Sequence, residues 1–317
     1  MRVVVVGAGM AGVACAVQLA AAGVDVRVLE RSDGPGGRMA GPQLGGRAVD
    51  IGAAYFTARD PEFSEVVKRW LTAGLVRPWT SAPAVLEAGR RGSSPGPVRY
   101  AAPGGLGSLV ADLATGLTVE PGHEMRHVGP GPSVAGEPAD AVVLAMPDPE
   151  AERLLDPDSS AAAEVAGREW RPVIAVAAGW SQREWAAFPF AFVNDHPVLT
   201  LVADDGDRRG DGAPVLVAHT TADIAHAHAT DPAGAVAPVL DALRDLLRVT
   251  SAPVWTTAHH WPYASPAAPR DRPFHLGADG IGLAGDGWGS PRIETAWRSG
   301  TLLGRALIDT RSGPPTH

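Results

Sequence analysis

The hydrophobic pattern at the start of the chain predicts a strand, a helix and a second strand. Residues 3–6 are four consecutive valines, a run typical of a buried parallel strand. Gly7, Gly9 and Gly12 follow, and they permit a tight turn, close approach of the backbone to a pyrophosphate and close packing of a helix. Residues 24–29 then predict the second strand. This order is that of a β-α-β unit that binds a dinucleotide.

Glu30 ends the second predicted strand and follows Gly12 at close to the roughly 20-residue offset of a ribose-binding acid. The amides at the start of the helix, and the positive end of its dipole, would face the diphosphate. NAD and FAD share this unit, so it does not decide between the two cofactors.

The pattern changes in the middle of the chain. Residues 62–71 predict an amphipathic helix and 139–146 a buried strand. From about 168 to 262, short strands dominate, and they indicate a second sheet domain inserted into the first. The predicted strands are 173–177, 198–202, 215–220 and 254–258, interrupted by a helix over 233–247. Residues 204–213, rich in Asp, Gly and Arg, are expected to form a solvated turn.

The chain then returns to the first domain. Residues 282–286 predict a short strand, and a helix follows through Leu307, with Ser290 as N-cap and Pro291 as first helical residue. The positive end of that helix should face whatever precedes it.

Composition narrows the possible functions. The 317 residues are 45% hydrophobic, enough for a large core in one or two closely joined domains. The single cysteine, Cys15, cannot form an internal disulfide and is expected to be buried. Lys68 is the only lysine. A net charge of -8 without a basic cluster argues against nucleic acid as a partner.

Other partner classes are also not expected. The Asp-rich stretch lacks the spacing of a calcium loop, so no metal site is predicted. No run is long and apolar enough for a membrane span, and we expect no membrane partner and a cytoplasmic location.

A series of motifs extends almost from end to end of the chain. They are Gly7-Ala8-Gly9-Met10, Gly36-Gly37-Arg38-Met39, the run DIGAAYFT at 50–57, Ala102-Pro103-Gly104-Gly105, the run VVLAMP at 142–147, His219-Thr220-Thr221 and Gly285-Asp286-Gly287. With these motifs the sequence resembles the renalase branch of the flavin amine oxidase superfamily.

The resemblance implies non-covalently bound FAD and an α/β fold. That fold is a Rossmann-type FAD-binding domain, similar to p-hydroxybenzoate hydroxylase, with an inserted α+β substrate domain of mostly antiparallel sheet. We assign residues 1–75, 102–160 and 271–317 to the FAD-binding domain, and 76–101 and 161–270 to the substrate domain. Outside His219–Thr221 and Trp261 the inserted domain matches renalases poorly.

Residues matching the family motifs, together with Glu30 and its neighbours, are the expected FAD contacts. They are Gly7, Gly9, Met10, Ala11, Gly12, Glu30, Arg31, Gly37, Arg38, Met39, Ala53, Ala54, Tyr55, Met125, Gly285, Asp286, Arg292 and Ile293. Arg38 would lie along the diphosphate and isoalloxazine, and Met125 is placed only by its strand pattern. The backbone amide of Ile293 would face flavin O2.

The implied reaction is oxidation of isomeric dihydropyridine forms of NAD(P)H. A hydride passes to flavin N5, and O2 then accepts the electrons and yields H2O2, chemistry that needs alignment more than an acid or base. Candidate walls of the substrate cavity are Tyr55, His219, His259, Trp261 and Trp288. Strand alternation allows at most one of His259 and His260 to face the cavity.

Two other functions remain open from the sequence. One is a flavin oxidase or dehydrogenase of a small or secondary-metabolite amine, and the other is a flavin-binding protein without catalysis. A buried partner for an anionic phosphate near the cavity would favour the dihydropyridine oxidase, whereas an aromatic cage without an arginine would favour the amine oxidase. The sequence leaves the oligomeric state and the final electron acceptor open.

Overall fold

The computed structural model describes residues 1–87, 90–129, 132–134 and 137–311. Residues 312–317, the end of the last predicted FAD-binding segment, and Ala88 and Gly89, within the first predicted substrate segment, lie outside the described residues. The strands are β1 (Arg2–Val6), β2 (Asp25–Leu29), β3 (Gln43–Leu44), β4 (Arg47–Ala48), β5 (Arg77–Thr80), β6 (Ala84–Glu87), β7 (Arg90–Ser93), β8 (Arg99–Ala101), β9 (Thr118–Glu120), β10 (Val128–Gly129), β11 (Ser133–Val134), β12 (Glu137–Pro138), β13 (Ala141–Leu144), β14 (Trp170–Gly179), β15 (Phe190–Val193), β16 (Leu199–Asp204), β17 (Val215–Thr220), β18 (Trp255–Pro266), β19 (His275–Leu276) and β20 (Ile281–Leu283).

The helices are α1 (Met10–Ala21), α2 (Pro61–Thr72), α3 (Leu106–Leu113), α4 (Asp148–Glu152), α5 (Ser160–Val165), α6 (Asp205–Arg209), α7 (Ala222–Ala227), α8 (Val236–Leu247) and α9 (Ile293–Arg311). Single 3-10 turns occur at Gly37–Met39 and Pro232–Ala235.

A six-stranded sheet, in the order β19-β20-β13-β1-β2-β9, forms the first domain. All neighbouring pairs are parallel except β19 with β20. Strand β1 lies inside the sheet between β13 and β2, with Val4 opposite both Val142 and Arg27. Its four valines are therefore buried on both faces, which confirms the parallel strand expected from the valine run.

Helices from the two ends of the chain pack against each other beside this sheet. A Cβ added at Gly300 of α9 would lie 1.9 Å from the carbonyl oxygen of Ala11 in α1. One turn further along, a Cβ at Gly304 would lie 2.9 Å from the carbonyl oxygen of Cys15. Since only glycine permits this approach, these two residues let α9 lie directly against the phosphate-facing helix.

A seven-stranded sheet, in the order β18-β14-β17-β16-β15-β6-β7, forms the second domain. Its neighbouring strands are antiparallel except β15 with β6. Alternate residues of β14 divide the core: Ile174 and Val176 pack with helices α7 and α8, whereas Ala175 and Ala177 pack with Val49 from the first domain. The predicted fold class, a Rossmann-type domain with an inserted, mostly antiparallel sheet, is confirmed.

Residues 204–213 are not the solvated turn that their composition predicts. They begin with helix α6, whose N-cap carboxylate, Asp204, accepts a hydrogen bond from the Asp207 amide. Asp204, Asp205 and Arg208 are each 0% exposed. The prediction was wrong because each buried charge has a partner of opposite charge, which composition alone does not reveal.

The last helix also differs from its prediction. It begins at Ile293 rather than Pro291, and it extends to Arg311. Ser290 lies before the helix, where its carbonyl accepts a hydrogen bond from the Thr295 hydroxyl. No helix in the described part of the chain is both long and apolar enough to cross a membrane. Likewise, the described residues contain no cluster of three His, Cys, Asp or Glu side chains suited to a metal ion.

Candidate flavin site and substrate-facing surface

The glycine-rich turn between β1 and α1 is crowded on one side and open on the other. Gly7 has a φ of 102°, and a Cβ there would lie 2.7 Å from the Ala145 carbonyl oxygen. A Cβ at Gly12 would lie only 1.9 Å from the Gly7 carbonyl oxygen. At Gly9, in contrast, a Cβ would meet nothing within 4 Å. The open side at Gly9 is where a diphosphate approaching the backbone would fit.

Helix α1 begins without a capping side chain. Its first backbone hydrogen bond is donated by the Val13 amide to the Gly9 carbonyl at 3.0 Å. The amides of Met10, Ala11 and Gly12 have no acceptor among the described residues. Unpaired amides at the positive end of a helix dipole suit an anion, so this terminus fits the diphosphate of FAD.

Glu30 lies at the end of β2, where its carboxylate already orders the turn. One oxygen accepts the Ala8 amide at 2.7 Å, and the other accepts the Ser32 amide at 2.8 Å and the Ser32 hydroxyl at 2.7 Å. The side chain is therefore held in one orientation beside the glycine turn. Its contact with the ribose stays a prediction.

Arg38 joins three distant parts of the chain. Its guanidinium donates to both carboxylate oxygens of Asp286, at 2.5 and 3.1 Å, and to the Ala264 carbonyl at 2.9 Å. The guanidinium also stacks over Trp170, 5.1 Å from the ring centre. The structure thus brings the two motif residues Arg38 and Asp286 into direct contact, together with the end of β18.

The segment from Gly52 to Tyr55 runs beside the backbone of Arg38. The Ala53 amide donates to the Arg38 carbonyl at 3.0 Å, and a Cβ at Gly52 would lie 1.9 Å from that oxygen. Met39 is buried in the core of the first domain. Gly37 lies next to Gly9, because a Cβ there would be 3.3 Å from the Gly9 Cα. These expected FAD contacts therefore form one continuous surface.

The remaining expected FAD contacts are more dispersed. The exposed Arg31 side chain pairs with Glu150 at 3.3 Å, and Arg292 is also exposed. Met125 is half-buried against the cluster that contains β13 and β20. Gly285 donates its amide to the Ser299 hydroxyl at 3.0 Å, and Ile293 is the first residue of α9. The contacts of these residues with the cofactor stay predictions.

One row of directly paired residues crosses the second sheet and contains two of the cavity candidates. The row is His259, Ala175, His219, Leu201 and Phe192, on strands β18, β14, β17, β16 and β15. Directly paired residues share a face, and Ala175 packs against the first domain, so the whole row faces that domain. We call this face the row face.

Alternation places Trp261 on the row face and His260 on the opposite face, towards α7 and α8. The Trp261 indole donates to the Ile51 carbonyl at 3.1 Å, and its ring lies 4.2 Å from that of His259. His259, rather than His260, therefore lies beside the first domain.

The surroundings of His219 favour the uncharged form of its imidazole. Burial lowers its pKa to about 4, and the positive charge of Arg208 contributes to the same shift, although a hydrogen bond with the Ile51 backbone opposes it. Burial also lowers the pKa of His259 below its usual value. Both imidazoles therefore favour the neutral form near pH 7, in which one ring nitrogen donates and the other accepts.

Phe192 of this row belongs to an aromatic cluster that surrounds an arginine. Tyr55 stacks on Phe190 with ring centres 4.7 Å apart, and Phe192 meets Tyr55 edge-on at 6.4 Å. The Arg99 guanidinium carbon lies 5.6 to 5.8 Å from the centres of these three rings. We call these four residues the Arg99 cluster. Sequence reasoning missed Arg99, because its neighbours come from two segments that are distant from it in the chain.

Trp288 lies in the core of the first domain, with 4% of its surface exposed. The Arg270 guanidinium covers the ring at 4.1 Å, and Asp148 pairs with that guanidinium at 2.9 Å. Its place in the substrate cavity stays a prediction.

Lys68, on the exposed side of α2, pairs with Glu65 at 2.6 Å.

A network of buried ion pairs connects the second domain to the segment that carries Tyr55. Arg208 donates to Asp205 at 2.5 Å and to the backbone carbonyls of Asp50 and Ala54 at 2.7 and 3.4 Å. The Asp50 carboxylate accepts from Arg209 at 3.1 Å. Burial raises the pKa of Asp50, while the two arginines oppose that shift.

Comparison with known proteins assigns the family. Residues 90–308, more than half of the chain, match flavin containing amine oxidoreductases, and residues 5–70 match the NAD(P)-binding Rossmann-like domain. A hydroxyneurosporene desaturase of Rubrivivax gelatinosus is 48% identical over 58 residues, which are 18% of this chain and 11% of that protein. A phytoene dehydrogenase of Streptomyces griseus is 50% identical over 59 residues, 19% of this chain and 12% of that protein. The matched segments thus span only about a tenth of these relatives.

Solved structures share the fold over nearly the whole chain. A putative protoporphyrinogen oxidase from Exiguobacterium sp. 255-15 has a TM-score of 0.79 at 15% identity, covering 98% of this chain and 99% of that one. Cyclohexylamine oxidase from Brevibacterium oxydans IH-35A has a TM-score of 0.76 at 15% identity, with the same coverage. The match over residues 90–308 shows that the chain belongs to the flavin containing amine oxidoreductase family and is an FAD-dependent oxidoreductase, and the solved structures show the shared fold.

Proposed function

We propose that this protein oxidises isomeric dihydropyridine forms of NAD(P)H, as the renalase-like motif series implies. FAD supplies the hydride acceptor, N5, and O2 then takes up the electrons as H2O2. Hydride loss converts the dihydropyridine into an aromatic pyridinium cation without removal of a proton. The protein's task is therefore to hold the reacting atoms in line, a contribution worth up to about 7–11 kcal/mol in well-oriented reactions.

The observation that carries this proposal is the charge of the Arg99 cluster. Aromatic rings attract cations, and an amine oxidase would profit from leaving such rings free for an ammonium group. Here a guanidinium already lies within 5.8 Å of the rings of Tyr55, Phe190 and Phe192. It would repel a second cation and attract an anion, which favours a phosphate-bearing substrate over an amine.

The row face supports the same chemistry. Trp261 is fixed by its hydrogen bond to the Ile51 carbonyl, and Tyr55 is fixed by stacking on Phe190. Such immobilised rings make suitable walls for a flat pyridine ring. The neutral His219 offers a donor or an acceptor to a carboxamide without adding charge. We assign Tyr55, His219, His259 and Trp261 to this cavity as part of the proposal.

Amine oxidation is the second candidate function. The family match favours it, and the fold resembles that of putrescine oxidase, with a TM-score of 0.74 at 16% identity over 98% of this chain and 99% of that one. An amine must lose its proton before oxidation, so its reaction depends on pH in a way that hydride loss from a dihydropyridine does not. A flavin-binding protein without catalysis, the third possibility from the sequence, does not agree with the family assignment.

Stopped-flow bleaching of the flavin separates the first two candidates. The FAD-loaded protein is mixed without oxygen with aged NADH or aged NADPH, which contain the isomeric forms, and separately with putrescine and cyclohexylamine. We expect rapid bleaching by the aged dinucleotides and none by freshly purified NADH, which serves as the control. Rapid bleaching by an amine alone would replace the proposal with amine oxidation.

A further inference from the structure

Arg99 is a buried cation without a negatively charged partner. The residue is 8% exposed, and its Nε atom has no hydrogen-bond partner among the described residues. Its Nη1 atom donates only to the Ser81 and Pro97 carbonyls, at 3.4 and 3.3 Å, which is longer than a usual N–H···O bond. No carboxylate among the described residues forms an ion pair with it.

Three other buried arginines form ion pairs with carboxylates. Arg208 and Arg209 pair with Asp50 and Asp205, and Arg270 makes a two-point contact with Asp148. A buried charge that lacks such a partner costs several kcal/mol, and the cost is recovered when an anion binds to it. The three rings and two long hydrogen bonds hold the Arg99 guanidinium, and its Nε is left to donate to an anionic ligand.

The position of Arg99 connects it to the proposed cavity. Phe192 in the Arg99 cluster belongs to the paired row that contains His219 and His259. Tyr55, whose ring lies 5.6 Å from the guanidinium carbon, follows the Ala53 and Ala54 segment beside Arg38. Arg99 thus lies beside the β15 part of the row face, next to the segment expected to contact FAD.

We propose that Arg99 binds an anionic oxygen group of the substrate, a carboxylate or a phosphate, and that it selects anionic over neutral substrates. The inference rests on the proposed function in placing the substrate at the row face. The guanidinium supplies charge-assisted hydrogen bonds from Nε and a terminal nitrogen, a planar pair of donors that matches both oxyanions. The rings of Tyr55 and Phe192 would cover the adjoining apolar part of the ligand.

Equilibrium titration of the FAD-loaded protein tests this site without any turnover. The flavin absorption spectrum is followed with two probe pairs that differ in one anionic group: benzoate against benzamide, and nicotinamide mononucleotide against nicotinamide riboside. The first pair tests a carboxylate and the second a phosphate. Arg91 provides the matched control, because it is exposed and stacks on Phe188 at 5.9 Å, so R91Q makes the same change outside the site.

We expect the wild type and R91Q to prefer the anionic member of at least one pair. In R99Q the Kd of that anion should rise about 10- to 100-fold, the range for loss of a hydrogen bond to a charged group, while the Kd of the neutral probe stays unchanged. The pair that responds identifies the group as carboxylate or phosphate. Equal weakening of both members, or no weakening at all, would overturn the proposal.

A second variant covers the case in which R99Q does not retain FAD. R99K keeps the charge but loses the planar fork, so the preference for the anion should fall at least about threefold. An unchanged preference would also overturn the proposal. Since these titrations need no oxidation, the site can be established even if aged dinucleotides fail to reduce the flavin, and the two proposals are tested separately.

Discussion

Replacing Arg208 with methionine tests whether the buried ion network holds the two domains together. Arg208 has no exposed surface, and it contacts two carboxylates, Asp205 and Asp50, at 2.5 and 3.7 Å. Methionine fills a similar volume but leaves both carboxylates without this partner. It also removes the hydrogen bond to the Ala54 carbonyl, next to Tyr55.

The expected loss in the free energy of unfolding is about 3–5 kcal/mol, the usual cost of removing one member of a buried ion pair. Arg244 supplies a control with the same geometry. It pairs with Asp241 at the same spacing along a helix and at the same 2.5 Å, but the two side chains are 57% and 69% exposed. R244M should therefore cost less than about 1 kcal/mol, because water screens and solvates that pair.

Urea unfolding followed by circular dichroism measures both variants, with flavin fluorescence reporting release of FAD. The loss in R208M should depend on pH. Burial already raises the pKa of Asp50 in the folded protein, and loss of Arg208 removes a charge that opposes this shift. A carboxyl whose pKa is raised in the folded protein destabilises the fold when it is ionised, so the deficit of R208M should shrink as the pH is lowered and Asp50 takes up a proton.

The double variant D205N/R208M isolates the cause. In R208M, Asp205 keeps Arg47 at 3.1 Å and Arg209 at 3.4 Å, and Asp50 keeps Arg209 at 3.1 Å, so two buried carboxylates share fewer cations. Removing the Asp205 charge should therefore return part of the stability lost in R208M. If R208M loses no more stability than R244M, or if the double variant is less stable than R208M at neutral pH, the network does not stabilise the fold through charge pairing.

Three further predictions concern the cofactor and the reaction. E30A and R38A should each raise the Kd for FAD about 10- to 150-fold, since a hydrogen bond to a charged group contributes about 1.5–3 kcal/mol; normal flavin occupancy in both variants would contradict the site assignment. Acid precipitation should release the FAD, and yellow protein in the pellet would require attachment through another residue. Cys15 should resist thiol reagents until the protein unfolds, because burial raises the pKa of its thiol to about 12. Flavin reduction by a dihydropyridine should be nearly constant from about pH 6 to 8.5 in the wild type and in H219Q, because the lowered pKa of His219, about 4, lies below that range; a steep rise with pH that H219Q abolishes would favour amine oxidation.

Local sequence was sufficient for the dinucleotide-binding unit. The valine run, the three glycines and Glu30 lie within one β-α-β unit. Gly12 leaves room for the Gly7 carbonyl, and Glu30 accepts the Ala8 amide within the same unit. Periodicity also located four of the seven strands of the second sheet, with β17 at Val215–Thr220 as predicted. Such features follow from the sequence because their physical causes act over a few residues.

Charge pairing over long sequence distances was not predictable in the same way. The acidic stretch that begins at Asp204 has the composition of an exposed turn, yet Asp205 is buried because Arg208 and Arg47 reach it. The choice between His259 and His260 was likewise open, since alternation gives two faces but does not say which one meets the first domain. The hydrogen bond from Trp261 to Ile51 decides it.

The sequence alone determined the class of fold, because glycine turns and strand patterns are local requirements of backbone geometry, and its resemblance to a known family indicated FAD. Only the tertiary structure decided which charges are paired and which are not. It brought Asp286 to Arg38 across most of the chain, and it surrounded Arg99 with rings from two distant segments without giving it a carboxylate among the described residues. Burial and long-range pairing set the energy of a charge, and both depend on residues that are neighbours only after the chain has folded.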